Sequence, residues 1–231
     1  KRNIGKSTIN IKNEKLNFEY ELTKNEIVFN SIDSRITNNQ IELLGKISTK
    51  PFNFELNGLI DKIKLSKLFE ISLIFQNLMN EKILFSKNLS ANISLDIKKL
   101  VNNKLFDNLK LVINFNNGVI DFDDTTFVSQ KIGKLVLIDS SFQSIDNESI
   151  FFGRLNFQIE DKNKFHRTFQ IPKKHRNELK NIYFDIEYNV FKNKLKIFSF
   201  KINDPKDKMT EKVENILAEI NYDDKGGIDN W

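Results

Sequence analysis

The amino-acid sequence predicts a mainly β protein, built as a long antiparallel meander with one or two short helices. Apolar residues alternate with polar residues along most of the chain, and short polar breaks separate the alternating runs. Hydrophobic residues make up 39% of the chain, which has 21 Phe but only 8 Gly and 3 Pro. This composition excludes disordered and collagen-like chains.

The first third of the chain forms a consistent meander if short turns place apolar residues opposite each other. Turns at 13–14, 24–25, 38–39 and 49–50 satisfy this condition. The predicted pairs are Ile11 with Leu16, Ile9 with Phe18, Leu22 with Ile27, Tyr20 with Phe29, Ile36 with Ile41, Ile47 with Phe52 and Gly45 with Phe54. The apolar parity changes once, between Phe29 and Ile32, which predicts a β-bulge near residues 30–31.

The second half of the chain contains further alternating runs. Asn117-Gly118 predicts a type I′ turn that pairs Phe115 with Ile120 and Ile113 with Phe122. Strands are predicted around 93–97 and at 135–142, 151–161, 181–190 and 195–203. All predicted pairings are local, which favours a meander over a parallel β-α-β layout.

Two segments break the alternation. Residues 62–88 lack a clean strand pattern and predict a helix over 66–79. Asp204 and Pro205 suit the start of a helix, and apolar residues recur at helical spacing to 221, which predicts an amphipathic helix over 205–221 with a frayed tail. The predicted segments are therefore 1–61, 62–88, 89–204 and 205–231.

Charge is interleaved along the chain. The net charge is +5, from 36 basic and 31 acidic residues. Interleaving of this kind is typical of a solvated face and not of a phosphate-binding stripe, so nucleic-acid binding is not expected. No stretch reaches the roughly 18 to 20 apolar residues of a spanning helix. Because the sequence starts at Lys1, we expect it to be a fragment with an anchor upstream.

Residues typical of catalysis are sparse. The chain has no cysteine, and its two histidines, His166 and His175, are interpreted as parts of a solvated loop. The acidic run at 121–124 lacks the staggered spacing of calcium loops. No nucleophile elbow, phosphate-binding loop or dinucleotide motif occurs. The sequence therefore predicts a protein that is not an enzyme and that binds no metal or cofactor.

The most basic segment spans residues 162–180 and is interpreted as a loop. Lys173, Lys174 and Arg176 are candidates for contact with anionic head groups or, as an alternative, nucleic acid. The competing interpretation is a solvated loop whose aromatic residues pack under the sheet. The alternating apolar residues have two interpretations as well, the core of a sandwich or the lining of a ligand groove, because a meander needs a covering layer of sheet, helix or lipid.

Residues 89–142 resemble the C-terminal region of AsmA-like proteins of Gram-negative bacteria, which have a short strand, a polar turn, a long hairpin and an added strand. The matching residues are Asp107, Leu109, Leu111, Ile113, Gly118, Ile120 and Phe122. The segment 195–204 is similar to a strand near the end of such proteins.

This resemblance implies an elongated, strongly curved antiparallel sheet with an apolar concave face. It also implies a periplasmic protein, tethered to the inner membrane by an N-terminal anchor, that moves phospholipid and supports outer-membrane assembly. The implied partners are phospholipid acyl chains, the inner membrane and outer-membrane assembly factors. The candidate groove residues are Leu109, Leu111, Ile113, Phe115, Ile120 and Phe122. A structural or adhesion β-sandwich with a sealed core, or a basic membrane-surface or nucleic-acid binder, remains the alternative.

Overall fold

The structure is a computed structural model that describes residues 3–11, 14–36, 39–67, 83–145, 148–176, 178–189, 192 and 194–202. The chain divides into two compact units, residues 1–120 and residues 121–231. The boundary falls inside the predicted segment 89–204. Most described residues are in strands, so the predicted mainly β class is confirmed.

Unit 1 contains a large mixed sheet. Its strands are β1 Asn3–Ile11, β2 Glu14–Leu22, β3 Glu26–Ser31, β4 Ser34–Ile36, β5 Asn39–Thr49, β6 Phe52–Ile60, β7 Ile63–Lys64, β8 Ala91–Ile97, β9 Leu100–Val101, β10 Asn108–Asn116 and β11 Val119–Asp121, whose last residue lies past the unit boundary. The main sheet has the order β1-β2-β3-β5-β6-β8-β10-β11, and β7 pairs with β9 separately. A 3₁₀ helix spans Ile83–Phe85.

The prediction that every strand pairing is local and antiparallel is wrong for two pairs, β6 with β8 in the main sheet and the short pair β7 with β9, both of which are parallel. Strand β8 lies beside β6 and runs parallel to it, with Leu56 opposite Ile93 and Ile60 opposite Ile97. A parallel pair requires a crossover connection, and residues 61–90 supply one. The sheet is therefore mixed, although its other pairs in unit 1 are antiparallel.

The predicted register is confirmed for one of the four early hairpins. Leu22 pairs with Ile27 and Tyr20 with Phe29, as the turn at 24–25 requires. The other three predicted registers are wrong by two residues. In the structure, the closing pairs are Ile11 with Glu14, Ile36 with Asn39 and Thr49 with Phe52. Pro51 has no N–H to donate to the ladder. It lies in the turn between β5 and β6, which was predicted at 49–50 and is centred on 50–51 in the structure.

The predicted bulge after Asn30 is confirmed. Asn30 pairs with Leu44 and Ser34 with Ile41, so one extra residue lies between these pairs in the β3–β4 run. Asp33 has a φ of 48°, and the Ser31 hydroxyl accepts a bond from the Leu43 N–H at 2.7 Å and donates to the Ile41 carbonyl at 3.3 Å. The serine side chain thus replaces a backbone partner, which keeps the apolar residues on one face.

The predicted turn at Asn117-Gly118 is also confirmed. Asn117 has a φ of 51° and Gly118 a φ of 80°, the two positive values that a type I′ turn requires. Strand β11 pairs with β10 directly after this turn. Phe122 lies beyond the end of β11, so its predicted strand pairing with Ile113 is not part of the hairpin.

Unit 2 is an antiparallel sheet with a short helix. Its elements are β12 Thr126–Ser129, β13 Gly133–Ile145, β14 Glu148–Ile159, the helix α1 Lys162–Thr168, a 3₁₀ helix Lys173–His175, β15 Asn181–Asn189 and β16 Lys194–Ile202. The sheet order is β12-β13-β14-β15-β16. The four strands that the sequence predicts after residue 133 are confirmed, within a few residues at each end.

The prediction of a loop over 162–180 is wrong at its start, because α1 occupies residues 162–168. The Asp161 side chain accepts a hydrogen bond from the Lys164 N–H at 2.9 Å and caps the helix. Phe165 is buried and its ring lies 5.5 Å from that of Phe157, so the aromatic residue stabilises the helix against the sheet.

The two longer predicted helices lie largely or wholly outside the described residues. Residues 65–67 are helical, whereas 68–82 and 203–231 are not described. Among the described residues, no helix has the length and hydrophobicity that crossing a bilayer requires.

Candidate functional site

The candidate site in unit 1 is one face of its sheet, because directly paired residues of neighbouring strands point to the same side. The register aligns apolar residues across six strands, from β2 to β10. We call these side chains apolar face 1: Phe18, Tyr20, Leu22, Ile27, Phe29, Ile41, Leu43, Ile47, Phe54, Leu56, Ile60, Ile93, Leu95, Ile97, Leu109, Leu111, Ile113 and Phe115. Only the last four of them were predicted from the sequence as groove residues.

Burial is uneven along apolar face 1. The row nearest one strand end is closed, with Ile60 and Ile97 each 2% exposed. Phe115, near the other strand end, is 5% exposed. Between these ends lies a half-buried band that we call middle band 1: Tyr20, Phe29, Leu43, Leu56, Ile93, Leu95, Leu111 and Ile113. It crosses five strand spacings of about 4.8 Å each, or about 24 Å in all.

Large side chains and glycines alternate across neighbouring strands in middle band 1. Gly45 pairs with Phe29, and a β-carbon at Gly45 would lie 2.1 Å from the Phe29 Cζ. The Phe29 ring therefore lies over β5. Its centroid is 6.3 Å from that of Phe54 on β6 and 5.5 Å from that of Phe18 on β2. The glycine leaves room for the aromatic ring where any other residue would place a β-carbon.

Unit 2 has a matching surface. We call it apolar face 2, and its residues are Leu135, Leu137, Phe142, Phe151, Leu155, Phe157, Ile182, Phe184, Ile186, Tyr188, Leu195, Ile197, Phe200 and Ile202. One end row is closed beneath α1, and its members Phe157 and Ile182 are each 7% exposed. Leu155, Phe184 and Phe200 in the middle are only half-buried. This unit therefore also has a closed row beside a partly open apolar surface.

The opposite face of each sheet is mainly polar, although in unit 1 it includes the exposed Val28 and Leu44. In unit 2, the Arg154 guanidinium donates from Nε to Asp185 Oδ1 at 2.6 Å and from Nη2 to Oδ2 at 3.3 Å. The Ser199 hydroxyl donates to the same carboxylate at 2.8 Å. The bond from Arg154 holds the pKa of Asp185 below its usual value, and Asp185 raises the pKa of Arg154. This face carries a hydrogen-bonded charge network and suits water.

This network gives a stability prediction. Asp185→Asn is expected to lower the free energy of unfolding by about 1 kcal/mol at neutral pH, since the pair is only partly buried. The folded-state pKa of Asp185 is lowered, so its contribution is present above the unfolded pKa of about 3.9 and is lost as the pH falls through the folded pKa. Urea unfolding of wild type and variant should therefore differ at pH 7, and the difference should shrink as the pH falls from about 4 through the lowered folded-state pKa. The exposed Glu160→Gln is the control, and a pH-independent difference for Asp185→Asn would contradict the prediction.

The predicted groove residues differ in burial. Leu109 and Ile120 are each 3% exposed and Phe115 is 5% exposed, so these three are closed off. Leu111, Ile113 and Phe122 are half-buried. Of the six, only Leu109 lines either of two shallow surface depressions, one around Thr23–Glu26 with Ser48–Asn53 and one around Asp96–Lys98 with Asn108–Lys110.

The basic candidates lie in unit 2, beyond α1. Lys173, Lys174 and Arg176 are all exposed, and Arg176 Nε donates to the Ile171 carbonyl at 2.9 Å. The interpretation of His166 as solvated is wrong, because it lies on α1 and is 2% exposed. Its Nε2 has no hydrogen-bond partner within the described residues. The side chain of His175 is not described.

The acidic run at 121–124 has a structural role. Asp123 Oδ1 accepts bonds from the Ser140 N–H at 2.6 Å and from its hydroxyl at 2.7 Å. The Ser140 oxygen in turn accepts from the Phe122 N–H at 2.8 Å. Across the described ranges, no three acidic or histidine side chains come together as a metal site.

These observations define a class, a mainly β protein in whose two units the strand register aligns apolar side chains on one side of the sheet. No protein-family model, no curated protein and no solved structure matches the chain.

Proposed function

We propose that this chain is a non-enzymatic lipid-handling protein that holds acyl chains on its two apolar faces. The observation that carries the proposal is middle band 1, a half-buried apolar band about 24 Å long beside one closed row of residues. A contiguous apolar surface that is left partly open in this way is typical of an interaction site. Acyl chains would complete the burial.

The energetics favour this ligand. Burying a methylene group stabilises a complex by about 0.8 kcal/mol, so about ten methylenes on the band contribute about 8 kcal/mol before ordering costs. No charged group lies within middle band 1, and a uniform lining suits a ligand without polar atoms along its length. The charged opposite face would remain in water.

The resemblance to AsmA-like proteins extends the proposal. On this basis we propose that the protein is periplasmic and tethered to the inner membrane, with the band as part of a curved groove along which phospholipid moves toward the outer membrane. Outer-membrane assembly factors are the partners that this setting implies. These features rest on the pattern at 89–142.

A sealed β-sandwich is the second candidate, and the closed residues Leu109, Phe115 and Ile120 favour it. A sandwich needs a second layer over the rest of the face as well. The half-buried residues Leu56, Ile93 and Ile113 favour the lipid proposal over this one.

Lipid extraction from the purified protein separates the two candidates. The protein is purified without detergent, and bound lipids are extracted and identified by mass spectrometry. We expect phospholipid that remains bound through gel filtration. A lipid-free protein that also takes up no fluorescent phospholipid from vesicles would refute the proposal and favour the sandwich.

A further inference from the structure

The further inference concerns the segment 161–176 of unit 2, which we call the basic cap. The helix α1 closes one end of apolar face 2 through Phe165. The chain then turns back, and the Ile171 N–H donates to the His166 carbonyl at 2.8 Å. Arg176 donates from Nε to the Ile171 carbonyl at 2.9 Å. These bonds hold the cap as a defined structure against the sheet end.

The basic cap exposes one aromatic ring beside several cations. The Phe169 side chain is 46% exposed, and its ring lies 4.6 Å from that of the buried Phe165. Residues 162–176 contain no acidic residue. Their cations are Lys162, Lys164, Arg167, Lys173, Lys174 and Arg176.

Some of these cations are neutralised and others are not. Lys164 pairs with Asp161 at 3.3 Å, and Lys162 pairs with Glu178. Arg167, Lys173 and Lys174 are exposed and form no ion pair with any other described residue. The cap therefore presents three positive charges that are unpaired among the described residues, in the same short segment as a partly exposed ring.

We propose that the basic cap docks unit 2 onto an anionic phospholipid membrane, which rests on the proposed lipid-handling function. Phe169 enters the head-group layer, and Arg167, Lys173 and Lys174 bind lipid phosphates. The charge complementarity selects an anionic surface. An aromatic ring at the level of the head groups is a common anchor, because one side meets acyl chains and the other meets water.

The position of Phe169 favours a membrane over nucleic acid. Single-stranded nucleic acid binds along a series of exposed rings on which successive bases stack. Among the described side chains of the cap, Phe169 is the one exposed large ring, and it contacts Phe165 and, through it, Phe157 of apolar face 2. Docking would bring the end of that apolar face next to the bilayer.

Vesicle flotation tests the inference. The purified protein is mixed with vesicles of phosphatidylcholine alone or of phosphatidylcholine with phosphatidylserine. We expect flotation only with the anionic vesicles. The triple variant R167Q/K173Q/K174Q should bind about 100-fold more weakly, because each membrane-proximal cation contributes about fivefold. Phe169→Ser should weaken binding about tenfold, in line with the loss of one buried aromatic side chain.

The matched control is K24Q/K50Q/K62Q, which removes the same charge from exposed positions of unit 1. It should float like wild type. Equal loss in both triple variants, or no flotation of wild type, would overturn the inference. So would tight oligonucleotide binding by wild type that the cap variant loses, since the cap would then be a nucleic-acid site.

Co-purified lipid distinguishes this inference from the proposed function. If wild type carries lipid but does not float, membrane docking fails and lipid handling stands. If it floats but neither carries nor takes up lipid, docking stands as a surface property and lipid handling fails.

Discussion

Ile113→Glu is expected to weaken acyl-chain binding at least tenfold while the protein remains folded. Ile113 lies on β10 within middle band 1 and is half-buried. A glutamate there remains partly hydrated in the free protein, but a bound acyl chain would remove that water. Leaving a charge against hydrocarbon costs well over the roughly 1.4 kcal/mol that corresponds to tenfold in affinity. Titration with a fluorescent fatty acid measures the change.

The matched control is Leu44→Glu. Leu44 is 57% exposed and lies on the opposite sheet face, where it pairs with Asn57. This variant introduces the same charge into unit 1 and should bind like wild type. Equal weakening in both variants would show that charge or stability, and not the face, determines binding.

Gly133→Ala is expected to lower the free energy of unfolding by about 3 kcal/mol, combining backbone strain with overpacking. Gly133 has a φ of 142°, a conformation that residues with a β-carbon rarely adopt. An added β-carbon would also lie 2.1 Å from the Gln158 carbonyl oxygen and 2.9 Å from the Glu160 nitrogen. Both contacts are with backbone atoms at the end of β14, shortly before α1 begins. Denaturant unfolding measures the loss.

Gly153→Ala in β14 provides the comparison. A β-carbon there would lie 2.9 Å from the end of the Phe151 ring, a side chain that can move, and 3.4 Å from Ser140 Cβ, which is an ordinary van der Waals contact. We expect a loss of about 1 kcal/mol or less. If Gly133→Ala unfolds at the same denaturant concentration as wild type, this result would contradict the prediction that Gly133 requires a positive φ.

The sequence predicted which residues share a sheet face more accurately than it predicted the cross-strand residue pairs. Ile9 was predicted opposite Phe18, and it lies opposite Leu16. A shift of two residues leaves every side chain on its original face, so alternation cannot detect it. Strong turn residues resolve the ambiguity, as Asn117-Gly118 does through its two positive φ values.

The parallel pair of β6 and β8 was not predictable from local pattern. Their pairing joins residues on either side of the long connection 61–90, and nothing in either strand identifies the partner. Most of the band depends on this pair, because it aligns Leu56 with Ile93 and so joins two groups of strands into one face. The sequence analysis accordingly identified only the β10–β11 end of the candidate site.

The helix α1 was missed although its signal was present. Asp161 is a good N-cap residue, and its side chain accepts from Lys164 as the capping pattern predicts. The density of lysines and aromatic residues at 162–180 was interpreted as a loop. Burial of Phe165 and His166, which no local pattern specifies, is what fixes the helix on the sheet.

Site-specific photo-crosslinking tests the central claim most directly. A benzophenone side chain replaces Leu56 in middle band 1 or, as a control, Leu44 on the opposite face. The protein is incubated with phospholipid vesicles, irradiated and analysed by intact mass. The account predicts phospholipid adducts at position 56 and none at position 44. Equal adducts at both positions, or none at position 56, would contradict it.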